Sequence, residues 1–178
     1  MKYYKFLDLP QIPDHLDLNP GEMMREFKSM EYIKDGKISM TSDVVAYQAT
    51  TELQTWIKDN IIPEYKDVSI RFQYGGDDRT TNGVHTDKTR KFVLQYNLQH
   101  ADGILTYWKE EGYPELRPEV EIRESGYDYS KLTKLDEVFI PNKQWVLIHT
   151  KVLHSVENLT GSRINVQISL DRDSFDNQ

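Results

Sequence analysis

The chain has 178 residues, of which 38% are hydrophobic and 29% are charged, and its formal net charge is −7. This length suffices for one domain with a sizeable core. No apolar run is long enough to cross a bilayer, and the acidic balance argues against a nucleic-acid backbone as the main partner. The sequence contains no cysteine, which excludes disulfides and thiolate metal sites, so a bound metal would need His, Asp or Glu ligands.

The N-terminal part, residues 1–66, is predicted to combine helices and strands and to support the rest of a single domain, residues 1–178. A short helix is predicted over residues 22–30. The clearest helix begins at Thr51, which has capping-box spacing with Gln54. Its apolar side chains recur at helical period before Pro63 ends it. These side chains are Leu53, Trp56, Ile57 and Ile61.

Short strands dominate the remainder of the chain. Seven strand-like segments are separated by turn residues: residues 68–76, 91–98, 103–108, 137–141, 144–150, 152–158 and 162–170. A charged excursion, residues 110–129, interrupts them. Many short strands at regular spacing predict a β-sandwich or barrel. The expected fold class is therefore mainly β (α+β), with N-terminal helices packed on an all-β part.

His85-Thr86-Asp87 forms the first half of a candidate metal site. In an extended chain, residues i and i+2 point to the same face, so this imidazole and this carboxylate can reach one metal. His154, at the start of a C-terminal strand, can supply a third ligand. Two imidazoles and one carboxylate on one face of an octahedron leave three positions open, which is the arrangement of non-haem Fe(II) oxygenases.

The His-x-Asp spacing is weakly specific by itself, because His15-Leu16-Asp17 repeats it. That copy lies among prolines with no strand pattern before it, which indicates a surface loop. A polar turn at residues 85–87 is the competing interpretation of the first half of the site. His149 is a rival for the third ligand.

Arg163 lies nine residues after His154, across a turn predicted at residues 158–161. Two strands joined by that turn would place the two side chains side by side in a barrel. An arginine fork binds a carboxylate through two hydrogen bonds, so a dicarboxylate could chelate the metal at one end and meet Arg163 at the other. Asn165 lies on the same strand face and offers a further hydrogen bond. The alternative for Arg163 is a surface arginine paired with an acidic side chain.

In order and spacing these residues resemble the Fe(II)/2-oxoglutarate-dependent oxygenase superfamily, and most closely its prolyl hydroxylase-like branch. The resemblance covers residues 68–170. Its motifs are Tyr74-Gly75, His85-x-Asp87, Arg90, Asp102-Gly103, Pro141, His154-Ser155-Val156 and Gly161-x-Arg163. It implies a double-stranded β-helix, a jelly-roll or cupin-like barrel over residues 67–172, with the metal at its mouth.

The resemblance also implies roles for these residues. His85, Asp87 and His154 match the iron ligands, and Arg163 matches the residue that binds the distal carboxylate of 2-oxoglutarate. Further contacts with this cosubstrate are implied for Tyr74, Tyr96 and Asn165. The implied cofactors are Fe(II), 2-oxoglutarate and O2. Decarboxylation of 2-oxoglutarate to succinate would be coupled to hydroxylation of a substrate, with the protein supplying orientation, and no catalytic side chain beyond the metal ligands is expected.

The expected partner is a small-molecule substrate or a protein side chain, rather than a membrane or a nucleic acid. One alternative is an inactive cupin-like barrel that binds a metal or ligand, because Asn165 stands where the family commonly has Ser or Thr. Another is a structural β-domain in which the histidines are incidental. The N-terminal sequence lacks the apolar stretch of a signal peptide, and the absence of cysteine suits a reducing compartment, so we expect a cytoplasmic protein.

Overall fold

The computed structural model describes residues 3–16, 21–76, 78–99, 102–117 and 127–170. These residues form a mainly β structure with one α-helix, α1 (Thr51–Asn60), and a 3-10 turn at Tyr129–Lys131. The twelve strands are β1 (Tyr4–Leu7), β2 (Met23–Phe27), β3 (Glu31–Lys34), β4 (Lys37–Met40), β5 (Asp43–Gln48), β6 (Asp67–Tyr74), β7 (Phe92–Gln99), β8 (Ile104–Glu110), β9 (Leu132–Phe139), β10 (Trp145–His149), β11 (Leu153–Glu157) and β12 (Ser162–Leu170). No helix within these ranges is long and apolar enough to span a membrane.

Two antiparallel sheets pack face to face. The larger has seven strands in the order β1-β10-β7-β12-β6-β5-β2, and the smaller has the order β11-β8-β9. Residues 82–87 extend the smaller sheet past β11 through main-chain hydrogen bonds to His154 and Val156. From β6 onward the chain crosses repeatedly between the two sheets, which is the jelly-roll arrangement. The predicted all-β barrel is therefore consistent with the observed sheets.

Side-chain alternation gives the larger sheet an apolar outer face and a polar inner face. On β12 the outward side chains join a core that includes the buried face of α1; they are Ile164, Val166, Ile168 and Leu170. The intervening side chains point between the sheets and are all buried; they are Arg163, Asn165, Gln167 and Ser169. A polar barrel interior beneath an apolar outer layer is unusual for a core and indicates a binding site.

The helix predicted after Thr51 is present. Its N-cap is Thr50 rather than Thr51, because the Thr50 hydroxyl accepts a hydrogen bond from the Leu53 main-chain N–H at 3.3 Å. Leu53 and Ile57 form its buried face and cover the outside of the larger sheet. The helix thus covers the apolar outer face of the larger sheet and does not fill the interior between the two sheets.

The helix predicted over residues 22–30 is wrong. These residues contain β2, an edge strand that pairs with β5, and all five residues of β2 are exposed. Met23, Phe27 and Met30 recur at helical spacing but are exposed, and a nine-residue helix that buries no apolar face is marginal in water. Pairing with β5 instead satisfies part of the backbone. Within the described ranges α1 is the single α-helix, so the N-terminal support consists mainly of strands.

The turn predicted at residues 158–161 joins β11 to β12, and Asn158 takes a positive φ of 57° in it. It does not place the two strands side by side, because it leads from the smaller sheet to the larger one. β11 pairs with β8, whereas β12 pairs with β6 and β7. His154 and Arg163 consequently lie in opposite sheets and line the same interior.

Candidate metal centre

The two histidines of the predicted site are held together by the main chain. The His85 N–H donates to the His154 carbonyl at 3.0 Å, and the His154 N–H donates to the His85 carbonyl at 2.9 Å. This reciprocal antiparallel pair places the imidazole rings on one side, with centroids 4.5 Å apart. Gly83 leads into this segment with a φ of +78°, and a Cβ there would lie 2.8 Å from Thr41 Cγ2.

Hydrogen bonds to the backbone select the tautomer of each ring. His85 Nδ1 lies 2.9 Å from the Gly83 carbonyl, and His154 Nδ1 lies 2.9 Å from the Val152 carbonyl. A carbonyl only accepts, so both Nδ1 atoms carry protons and both Nε2 lone pairs are left for a metal. Donor atoms of His85, Asp87 and His154 all lie within 4.8 Å of one another. This donor set fits a divalent metal with open coordination positions.

Asp87 is oriented by Arg90. The Arg90 Nε–H donates to Asp87 Oδ2, while the other carboxylate oxygen, Oδ1, lies 3.6 Å from His85 Nε2. Burial alone would raise the pKa of the Asp87 carboxyl, but the nearby charges of Arg90, His154 and His85 outweigh it and hold this pKa well below its usual range. Asp87 is therefore an anion at neutral pH with one oxygen fixed by Arg90 and the other turned toward the histidines.

A cavity of about 60 Å³ lies between the sheets beside the histidines. Its polar lining comes mainly from β6, β7, β12 and the His85 segment, and includes Arg71, Gln95, Arg163, Asn165 and Gln167. Three amides form a chain, in which Gln167 donates to Gln95 and Gln95 donates to Asn97, each at 2.9 Å. The site therefore joins a metal-binding triad to a polar pocket.

Arg163 reaches this cavity without a counter-ion. It is 3% exposed, its Nε has no hydrogen-bond partner, and no described carboxylate forms an ion pair with it. Burial lowers the pKa of Arg163 to about 10, which leaves the guanidinium charged at neutral pH. Asn165 Oδ1 and Gln167 Oε1 are likewise buried without a partner. The unpartnered Arg163 Nε–H fits a ligand that carries a carboxylate, whereas the two amide oxygens are acceptors and fit a donor.

Tyr74 and Tyr96 do not face the cavity, so the implied contact with the cosubstrate has no geometric support for either residue. Tyr74 is 48% exposed, and Tyr96 packs against Trp145 in the outer core with ring centroids 4.8 Å apart. Their strand neighbours Gln73 and Gln95 line the cavity instead. A shift of one residue along a strand exchanges the two faces, and the sequence alone did not determine that parity.

The other candidate histidines, His149 and His15, lie outside the group formed by His85, Asp87 and His154. His149 packs on Phe92, with ring centroids 4.7 Å apart, and its Nδ1 accepts a hydrogen bond from the Lys151 N–H at 3.3 Å. His15 is exposed, while Asp17 of the second His-x-Asp copy lies outside the described residues. Sequence reasoning missed Arg71, Gln95 and Gln167, which belong to no motif. Their shared inward parity with Arg163 and Asn165 becomes visible only once the strand register is known.

Comparison with known proteins places the fold. No protein-family model and no curated protein matches the sequence. The structure of Escherichia coli ycfD, a ribosomal oxygenase, aligns with a TM-score of 0.53 at 11% identity, over 97% of this chain and 51% of that one. The chain shares the ycfD fold. At this identity the likeness establishes the fold alone, and the chain spans about half of the ycfD structure.

Two looser likenesses are to iron- and 2-oxoglutarate-dependent enzymes. One is a 2OG-Fe(II) oxygenase family oxidoreductase from Burkholderia pseudomallei, with a TM-score of 0.44 and 10% identity over 83% of this chain and 76% of that one. The other is the non-haem α-ketoglutarate-dependent carbocyclase SnoK of nogalamycin biosynthesis, with a TM-score of 0.48 and 17% identity over 72% and 63%. At these TM-scores neither likeness assigns a role to any residue of this chain.

The buried histidine predicts how acid affects the metal-free protein. Burial, with the like charge of His85, lowers the pKa of His154 from 6.5 to about 4. Between these values the unfolded chain binds more protons than the folded one, so the free energy of unfolding should fall as pH decreases from about 6.5 to about 4. We expect a loss of roughly 3 kcal/mol, measured by urea unfolding of chelator-treated protein.

The matched control for this pH effect is a change at the exposed histidine. His154→Gln should flatten the dependence in this window, whereas His15→Gln should keep it. An unchanged slope in His154→Gln would assign the effect to another group.

Proposed function

We propose that this chain is an Fe(II)- and 2-oxoglutarate-dependent dioxygenase that hydroxylates a small molecule or a protein side chain. The observation that carries the proposal is the position of Arg163. It is a buried cation with no ion-pair partner among the described residues, in a cavity that His85 and His154 of the triad line. A dicarboxylate can chelate a metal held by the triad with one end and neutralise Arg163 with the other. A surface arginine paired with an acid, the alternative for Arg163, does not describe this residue.

In this proposal the described residues of the two sheets have separate roles in holding the metal and the cosubstrate. The two imidazoles and Asp87 would hold Fe(II), which when bound supplies the oxidative chemistry that couples decarboxylation of 2-oxoglutarate to hydroxylation. Arg90 fixes the Asp87 carboxylate, so this ligand is held in place before the metal arrives. Arg163 and Asn165 would orient the cosubstrate from the opposite sheet. The amide chain through Gln95 and Gln167 forms a rigid polar lining.

An inactive cupin-like barrel is the less favoured function. Such a barrel would need the metal ligands but would gain nothing from an unpaired guanidinium, since burying a charge without a partner costs free energy. The prolyl hydroxylase-like branch and the identity of the hydroxylated substrate remain predictions.

The test is a two-step assay of wild-type protein and His154→Ala. Addition of 2-oxoglutarate to the anaerobic Fe(II) protein should produce a visible charge-transfer absorption in the wild type only. Exposure to O2 should then yield succinate at a rate well above that of His154→Ala, even without a prime substrate. Metal binding without 2-oxoglutarate binding would contradict the proposal and favour the cupin-like alternative.

A further inference from the structure

The cavity is strongly cationic for a protein with a net charge of −7. Three arginines line it: Arg71, Arg90 and Arg163. Arg90 is paired with Asp87, and in the proposed function the distal carboxylate of 2-oxoglutarate would pair with Arg163. Arg71 forms no ion pair with a described carboxylate.

The strand register places Arg71 next to the cosubstrate position. Arg71 on β6 lies opposite Asn165 of β12 on one side and Ala46 of β5 on the other. The neighbouring row across the sheet runs from Arg163 through Gln73 and Val44 to Phe27. Arg71 and Arg163 are thus diagonal neighbours on one face of two paired strands, a relation that brings their Cα atoms to roughly 7–8 Å.

Arg71 is attracted by the carboxylates of Asp87 and Asp67, but neither lies close enough for an ion pair. Its Nε is buried without a hydrogen-bond partner, and no described carboxylate forms an ion pair with it. The ring of Phe27 lies beside the guanidinium, with its centroid 5.9 Å from the Arg71 Cζ atom. Burial, with the like charge of Arg90, lowers the pKa of Arg71 to about 9, so the side chain remains charged at neutral pH.

Two guanidinium groups without an ion-pair partner among the described residues line this interior, and the loss of hydration of each costs free energy in the empty barrel. One molecule of 2-oxoglutarate can relieve only one of them, since its other end is needed at the metal. The second cation therefore indicates a second anion in the same cavity. Phe27, which is 45% exposed at the edge of the sheet, gives that anion an apolar neighbour.

We infer that Arg71 binds an oxyanion group of the prime substrate, a carboxylate, sulfonate or phosphate, and that Phe27 contacts the apolar part attached to it. This inference rests on the proposed function, because it assigns Arg163 to the cosubstrate. The substrate class is then an organic anion with an apolar body. Arg71 would position the substrate beside the metal and take no part in electron or proton transfer.

The test measures anion binding to the protein loaded with Co(II) and saturating 2-oxoglutarate under anaerobic conditions at constant ionic strength. The probes are phenylacetate, its uncharged analogue phenylacetamide, and inorganic sulfate. Calorimetry measures the binding of each probe. The wild type should bind phenylacetate at least tenfold more tightly than Arg71→Gln does. For the uncharged phenylacetamide, the affinities of the two proteins should be equal. Arg71→Lys should retain part of the affinity because it keeps the charge.

Lys58→Gln is the control for net charge, since Lys58 is exposed on α1 and lies on the outer layer of the fold. It should bind the anions as the wild type does. Equal binding of every anion by wild type and Arg71→Gln, including no binding by either, would overturn the inference while leaving the proposed function intact. Loss of 2-oxoglutarate binding in Arg71→Gln would also overturn it, because Arg71 would then belong to the cosubstrate. Failure of the wild type to bind 2-oxoglutarate would instead contradict the proposed function.

Discussion

Replacing His154 by alanine should weaken Fe(II) binding by more than about 100-fold, and His85→Ala should do the same. Each change removes one of three ligands, and loss of a group that merely orients a ligand already costs 10- to 100-fold in metal affinity. The measurement is an anaerobic titration by calorimetry, repeated with Co(II), whose visible spectrum reports the number and type of ligands.

The two variants separate folding from metal binding. The His85 side chain is 41% exposed, so His85→Ala should leave the fold intact, whereas His154 is 6% exposed and its loss opens a small cavity. Circular dichroism and thermal melting should show a native fold for His85→Ala. His15→Ala and His149→Ala are the matched controls and should bind the metal as the wild type does. Wild-type affinity in His85→Ala would place the metal elsewhere.

The candidate metal triad could be recognised in the sequence because two of its members are local. His85 and Asp87 share a strand face at a spacing of two residues, a relation that needs no tertiary information. The third ligand came from resemblance, and it is brought into place by main-chain pairing between segments 69 residues apart, from His85 to His154. The duplicate spacing at His15 shows that the local pattern alone would not have sufficed.

The parity of the strands could not be predicted in the same way. Tyr74 and Tyr96 lie on strands found from the sequence, yet both point to the outer face. Alternation tells which residues share a face, but partner strands and the α1 layer determine which face is inside. The rule that apolar side chains point inward misleads here, because the interior next to the candidate metal site is polar while the outer face is apolar.

The positions of the N-terminal strands could not be predicted, for a related reason. β2 is formed by pairing with β5, and β1 by pairing with β10 at the other edge of the larger sheet. Both are short, so their own sequences carry little signal, and their hydrogen bonds come from residues far along the chain. Long-range pairing of this kind overrides local propensity. The Arg71 site depends on this N-terminal part, since Ala46 and Phe27 flank it.

Arg163→Met should weaken cosubstrate binding and, at the same time, stabilise the ligand-free protein. Removing one partner of a buried charge pair costs about 2–5 kcal/mol, so the Kd for 2-oxoglutarate should rise by at least about 30-fold. Fe(II) affinity should stay within a few-fold of the wild-type value, because Arg163 lies in the opposite sheet from His154. Calorimetry of the metal-loaded protein with and without 2-oxoglutarate measures both quantities.

The gain in stability follows from the missing counter-ion. Burial lowers the pKa of Arg163 from 12.5 to about 10, which corresponds to roughly 3 kcal/mol of destabilisation of the charged form. Methionine fills a similar space without a charge, so urea unfolding of ligand-free Arg163→Met should show an increase of about 1–3 kcal/mol. Arg163→Lys should keep the stability cost and bind 2-oxoglutarate with intermediate affinity, since it retains the charge but not the planar fork. A purely structural arginine predicts the opposite sign, because its replacement would lower stability and leave 2-oxoglutarate binding unchanged.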